Sequence, residues 1–200
     1  MIKAVQAPGR ETARDRIFEG AVRGVAEQGA SASMAEIAAA AGVSKALLHY
    51  HYADRAHLLA EVVTRLSARI QARERTAMGD LPDGSSGPAL AMGNPVDALW
   101  VWVETELHLG ELRTLLELAT VRETAVRRAW ADAANHRRRG AARTVTAVFE
   151  RLGLTPRMPV ALIGDTSVAF LDGLAMDSGG ARNSRMEFDL FWLALLSLGE

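Results

Sequence analysis

The 200-residue sequence contains no cysteine. Disulfides, thiolate catalysis, cysteine-type zinc sites and thiol redox sensing are thereby excluded. It also lacks stretches that alternate polar and apolar residues over the length of a strand. Alanine, leucine, arginine and glutamate dominate instead, and the expected fold is all-α. A bilayer-length apolar run is missing too: the longest, Phe188 to Leu198, contains Asp189 and is too short to span. No apolar leader follows a basic start, so a cytoplasmic protein without a membrane partner is expected. G-x-S-x-G, phosphate-loop and H-E-x-x-H patterns do not occur, which argues against an enzyme. No cofactor and no metal ion are expected.

Charge of one sign is scarce, with a net of −1, but its distribution is uneven. Residues 1–75 hold eleven Lys/Arg against eight Asp/Glu, and residues 76–200 hold twelve against sixteen. A mildly basic N-terminal unit precedes an acidic remainder, compatible with an electrostatic footprint at one end. With 49% hydrophobic residues the chain can bury one good core, or a small module attached to a larger one.

One segment breaks the helical pattern. Residues 78–95, MGDLPDGSSGPALAMGNP, gather four glycines and three prolines and read as a long loop. Before it, a helix is expected from about Thr12 to Gln28, ended by Gly29. A second starts at Ser33, which forms an S-x-x-E capping box with Glu36. A third, short helix is capped by Ser44, and a fourth starts at Asp54 with Leu58, Leu59, Val62, Leu66 and Ile70 on its inner face. After the loop, residues 96–109 are apolar nearly all round and are expected in the middle of a bundle. Helices near 111–119, 122–152, 159–177 and 184–198 follow.

Ala38, Gly42 and Leu48 supply what two steeply crossing helices need: a small contact residue, a turn residue tolerating positive φ, and an apolar plug. This is the spacing of a helix-turn-helix. With Ala46 and Leu48 directed inward or sideways, Ser44, Lys45, Leu47, His49, Tyr50 and His51 remain to cover the exposed surface of the third helix. Such a surface suits a DNA major groove. Arg55 and the Ser33 cap are expected near phosphates. His49 and His51 are two apart on a helix and point in different directions, which argues against metal binding there.

From Arg16 to Leu59 the sequence resembles the tetracycline-repressor-like (TetR) family of transcriptional regulators. The resemblance is carried by Ile17, Gly29, Ser33, Ile37-Ala38, Ala41-Gly42-Val43-Ser44-Lys45, Leu48-His49-Tyr50-His51-Tyr52, Arg55 and Leu58-Leu59. It implies a ligand-responsive repressor that binds a palindromic double-stranded DNA operator as a homodimer. It further implies a three-helix helix-turn-helix domain, residues 1–53, and a larger helical ligand-binding and dimerisation domain, residues 54–200, joined through the helix of residues 54–75. Two positions depart from the family's recognition helix. Where it usually has glycine or proline, threonine and leucine-tyrosine, this chain has Ala46, Leu47 and Leu48-His49. Leu47 leaves open a second reading, a helical small-molecule-binding protein of the same fold that has lost operator recognition. An enzyme is a third, more remote alternative.

Trp100, Glu104 and His108 are spaced i, i+4, i+8 and form one helical stripe. They are candidates to line the pocket of a small-molecule effector, Trp100 by stacking and the other two by polar contact. The competing reading is a core tryptophan with surface neighbours. Trp130, Phe149, Phe170 and Met176 are further candidates that could equally be core. The arginines at 127, 128, 137–139 and 143 could attract an acidic ligand or DNA, but spread around a helix they read as a solvated face. Helices 159–178 and 184–199 are expected to form a four-helix dimer interface, the last being too apolar to leave exposed.

Overall fold

A computed structural model describes residues 12–79, 93–177 and 184–200. Among them are nine α-helices, one 3-10 turn and no strand. Side-chain caps start the first four, and those of the second, third and fourth were foreseen from the sequence. Helix α1 (Ala13–Gln28) starts in a capping box made by Thr12 and Asp15, and α2 (Met34–Ala41) in the Ser33–Glu36 box. Helix α3 (Lys45–His51) is capped by Ser44 and α4 (Arg55–Ala77) by Asp54. Hydrogen bonds from Thr12, from the Ser33 amide and from the His57 amide hold Asp15, Glu36 and Asp54 below the usual carboxylate range. These caps are therefore ionised at neutral pH, where a negative charge best complements a helix N-terminus.

Helix α1 crosses α2 without a side chain between them. A Cβ on Gly20 would lie 2.4 Å from both Cα and Cβ of Ala41, so only glycine permits this approach. Gly42 then turns the chain at φ 63° and ψ 34°. Leu48, fully buried, plugs the angle between α2 and α3.

The larger part contains α5 (Pro95–Leu109), α6 (Glu111–Leu118), α7 (Thr124–Arg151), α8 (Val160–Met176) and α9 (Ser184–Leu196). Helix α4 packs along α7, and α7 along α8. A second close approach, at Gly164, lets α8 meet the α7 backbone at Ala142. After α9 the chain end is tied back: Thr155 and Glu200 exchange backbone hydrogen bonds of 2.8 and 3.0 Å. One continuous hydrophobic cluster runs from Ile17 to Leu195, with Leu58, Leu59, Val62, Leu66 and Ile70 of α4 inside it.

Two expectations are corrected. Helix α5 is not central: Val96, Leu99, Trp102, Val103 and Glu106 are buried, while Val101, Glu104, Thr105 and His108 face solvent. Its apolar surplus is accommodated by α9, whose Phe188 packs on Trp100, so α4 and α7 hold the middle. Arg137 is buried and pairs with Asp172 of α8, unlike the solvated arginines around it. The expected loop begins at the buried Met78 and ends at Asn94, which caps α5; its residues 80–92 lie outside the described residues.

Arginines 65, 69 and 73, one turn apart on α4, clamp the helix between its neighbours. Arg65 reaches Asp15 at 2.7 Å and Arg69 reaches Glu19 at 2.6 Å, both on α1. Arg69 also pairs with Glu111 of α6. Arg73 grips Glu106 of α5 at 2.6 and 2.7 Å and Glu111 at 2.6 Å.

Candidate nucleic-acid interface and effector cavity

The turn between α2 and α3 is closed by backbone bonds from Gly42 to Ala39 (3.1 Å) and from Val43 to Ala38 (3.0 Å). The Ser44 hydroxyl accepts from the Leu47 amide at 3.1 Å, which starts α3 at once. On its inner side, Tyr52 is buried and its hydroxyl donates to Glu61 at 3.0 Å, anchoring the helix end to α4. Ser33, Ser44, Lys45, His49 and Tyr50 are exposed, and Leu47 and His51 half-buried. Ala46, expected inward or sideways, is exposed as well, because Leu48 alone fills the angle. Tyr50 is 83% exposed, with its ring edge-on to that of His51. A large aromatic left so bare on a short helix is available to a partner.

Arg55 does not extend toward that surface. Its guanidinium donates to the carbonyls of Ala30 and Ala32 and pairs with Glu123 at 2.9 Å. The physical reason is proximity: the 3-10 turn at Gly29–Ser31 leaves its carbonyls beside the first turn of α4, where a fork of donors satisfies them. The residue thus joins the helix-turn-helix to the start of α7.

The three members of the Trp100, Glu104 and His108 stripe have different surroundings. Glu104 and His108 are exposed, and the His108 ring lies 2.8 Å from the Glu104 carbonyl. Trp100 is half-buried between Phe188 and the Arg185 guanidinium, 5.6 Å from its ring centre. Phe149 is buried deep in the core, Trp130 is half-buried on α7, and Met176 is exposed on α8. Phe170 lines a cavity.

That cavity lies between α4, α5, α7, α8 and α9, is about 20 Å³, and is walled by Leu99, Trp102, Phe170, Phe188, Phe191 and Trp192. Phe170 and Phe191 stack at 4.1 Å. The indole N–H of Trp102 is buried without a hydrogen-bond partner among the described residues. A cavity of this size holds about one water. Glu74 and Thr144 separate it from a wider cleft of about 290 Å³ between α4 and α7, lined by Gln71, Glu74, Arg75, Met78, Arg143 and Arg151 among others. Glu74 is half-buried and accepts from Thr144 Oγ1 at 2.7 Å. Burial of its carboxyl group raises its pKa, outweighing the Thr144 bond and the arginines at 137, 143 and 75.

Sequence reasoning missed Trp102, Glu74, Arg75 and Arg151, and read Arg143 as part of a solvated face. Trp102 and Glu106 repeat the i, i+4 spacing of Trp100 and Glu104 two residues on, so the pattern alone offers two faces. Glu74 carries no local signal, since its partner Thr144 is seventy residues away.

An all-α chain with an N-terminal helix-turn-helix and a larger helical bundle has the architecture of a DNA-binding transcriptional regulator. Residues 17–62 match the family described as bacterial regulatory proteins, tetR family. The match covers the helix-turn-helix and the start of α4, and the chain as a whole has a TetR-like all-α fold. A Rhodococcus transcriptional regulator superposes with a TM-score of 0.68 at 17% identity, covering 94% of this chain and 98% of its own. The fatty acid degradation regulator FadR of Bacillus halodurans gives 0.68 at 15%, covering 94% and 97%. GusR of Salmonella enterica gives 0.68 at 19%, covering 93% and 94%. At these identities the likeness is one of fold. Comparison with curated proteins gives no match. No helix among the described residues is long and apolar enough to cross a membrane.

Proposed function

We propose that this protein is a cytoplasmic, ligand-responsive repressor that binds a near-palindromic operator as a homodimer. The observation that carries the reading is the α3 surface: Ser44, Lys45, His49 and Tyr50 stand exposed together on a helix held from below by Leu48 and Tyr52. Each subunit presents α3 to a major groove, with recognition helices about 34–36 Å apart. Lys45 and His49 contact phosphate or base edges, Leu47 a thymine methyl or sugar, and Ser33 lies beside a phosphate. Arg55 acts indirectly, by fixing the domain against α7. Selection of genomic fragments, followed by fluorescence anisotropy at two salt concentrations, tests this. Changing Lys45 and His49 together to alanine is expected to weaken the selected site by about tenfold or more, and to lower the salt slope by about one for the lysine. Weak, sequence-blind binding by the unaltered protein would favour the alternative of a ligand-binding protein without an operator.

Dimerisation is assigned to α8 and α9. Leu190 and Leu193 are 69% and 68% exposed, and Leu162, Met176 and Met186 share the bare apolar surface of these helices. So many exposed large apolar side chains are costly in a monomer, and two helices from each subunit closing as a four-helix bundle would cover them. The double change Leu190→Glu and Leu193→Glu is expected to give monomers in sedimentation at micromolar concentration. A wild-type protein that is already monomeric there defeats the assignment.

The effector enters between α4 and the bundle, where both cavities share Glu74. Binding there biases the tilt of α4, and operator affinity changes by no more than the ligand's discrimination between the two tilts.

A further inference from the structure

The cleft between α4 and α7 has a charge character that the rest of α4 lacks. Arg65, Arg69 and Arg73 are each clasped by carboxylates. Arg75, on the cleft side, has no hydrogen bond or ion pair with a described residue, and neither has Arg143 across from it on α7. Arg151 spends one donor on the Met78 carbonyl at 2.9 Å and keeps the others. Three guanidinium groups therefore line a space whose one carboxylate, Glu74, is already engaged by Thr144. Gly140 lies on the floor of the cleft, within reach of both groups: a Cβ there would stand 3.7 Å from Glu74 Oε2 and 3.8 Å from Arg143 Nη2, ordinary contacts.

Building on the effector reading above, we propose that this cleft selects a small organic anion, whose carboxylate, sulfonate or phosphate group pairs with Arg75 and Arg143 while its apolar part lies against Met78 and Ala147. Guanidinium forks match such oxyanions by paired, charge-assisted hydrogen bonds. A cavity of about 290 Å³ sits at the small end of ligand sites and suits a molecule of one or two rings. A cation is disfavoured because it would meet three arginines and a carboxylate that burial biases toward its neutral form. Because Arg75 belongs to α4 and Arg143 to α7, one bound anion draws the two helices together, which makes α4 sense its presence.

The test compares two dyes of nearly equal shape on the full-length protein: anilinonaphthalene sulfonate, an anion, and phenylnaphthylamine, its neutral counterpart. The sulfonate is expected to bind saturably at one per chain, at least about tenfold more tightly than the neutral dye. The double variant Arg75→Gln/Arg143→Gln should lose about tenfold or more in sulfonate affinity and none for the neutral dye. Both arginines are exposed, so the fold is retained, as an unchanged Tm will verify. Equal binding of the two dyes, or sulfonate binding indifferent to the arginine changes, overturns the proposal and assigns the dye to the apolar α8/α9 surface. Operator anisotropy in the same samples separates this from the repressor reading. Arginine-dependent sulfonate binding without any change in operator affinity upholds the anion site and counts against effector coupling. Failure of the dye-free protein to bind an operator counts against DNA recognition and leaves the dye result standing.

Discussion

Replacing Gly20 by alanine is expected to destabilise the protein by about 2 kcal/mol, in spite of placing a better helix former in mid-helix. Two effects compete. Alanine improves helix propensity by about 1 kcal/mol over glycine. Against this, its Cβ would stand 2.4 Å from Cα and Cβ of Ala41 and 2.5 Å from its amide nitrogen, far inside van der Waals contact. Two of those atoms are backbone, so no rotamer relieves the clash and α2 must move away from α1. Since α2 carries the turn that presents α3, operator affinity should fall along with stability. Gly24→Ala is the matched control, one helical turn further along the same face. Its Cβ meets Ile37 at 3.5 and 3.8 Å, an ordinary contact, so the propensity gain survives and stability should stay level or rise slightly. Thermal unfolding of both variants decides: at a few degrees per kcal/mol for a chain of this size, Gly20→Ala should melt about 4–8 °C lower. Equal melting temperatures would show that α1 and α2 leave room for a methyl group between Gly20 and Ala41.

A larger loss is expected from Arg73→Met, about 3 kcal/mol, at the lower end for breaking a buried ion pair because Arg73 itself is partly exposed. Glu106 is only 2% exposed, and its two oxygens accept from Arg73 at 2.6 and 2.7 Å. Methionine fills most of the arginine stem's volume but leaves that carboxylate buried without a cation. The double variant Arg73→Met/Glu106→Leu removes the charge along with its partner and should regain most of the stability, since an apolar pair of similar volume replaces a pair that costs desolvation on both sides. Glu111 remains held by Arg69 in either case. Urea unfolding of the two single variants and the double variant measures the coupling directly. Additive losses would mean that Arg73 stabilises through its contact with Glu111 instead.

The N-terminal helices were legible because their signals are short-range. Thr12, Ser33, Ser44 and Asp54 cap the residues that immediately follow, and Gly42 needs only its own φ to make the turn. Beyond residue 95 the decisive partners are distant in sequence, and the periodicity of an apolar helix does not name them. Which of Trp100 and Trp102 points inward depends on Phe188 and on the Arg73–Glu106 pair, not on the spacing within α5. Arg55 misled in a different way. A cation at a helix start beside a recognition motif suits phosphate, but the carbonyls of Ala30 and Ala32 are nearer and unsatisfied by helix. Gly20 was silent for a related reason: a glycine required by a neighbour's backbone looks, in sequence, like any other glycine in a helix.

Helix α4 runs for 23 residues, with Arg65 and Arg69 locked to α1, and Arg69 and Arg73 to α6 and α5, all in its C-terminal two thirds. From Glu74 to Arg55 the axis measures about 28 Å at the rise of an α-helix, and a tilt of about 5° about the cleft end would carry the other end about 2.5 Å. The helix is thus a beam whose long arm ends at the DNA-binding unit. A displacement too small to disturb packing around the cleft becomes, at α3, a misfit comparable to the spacing between neighbouring base pairs.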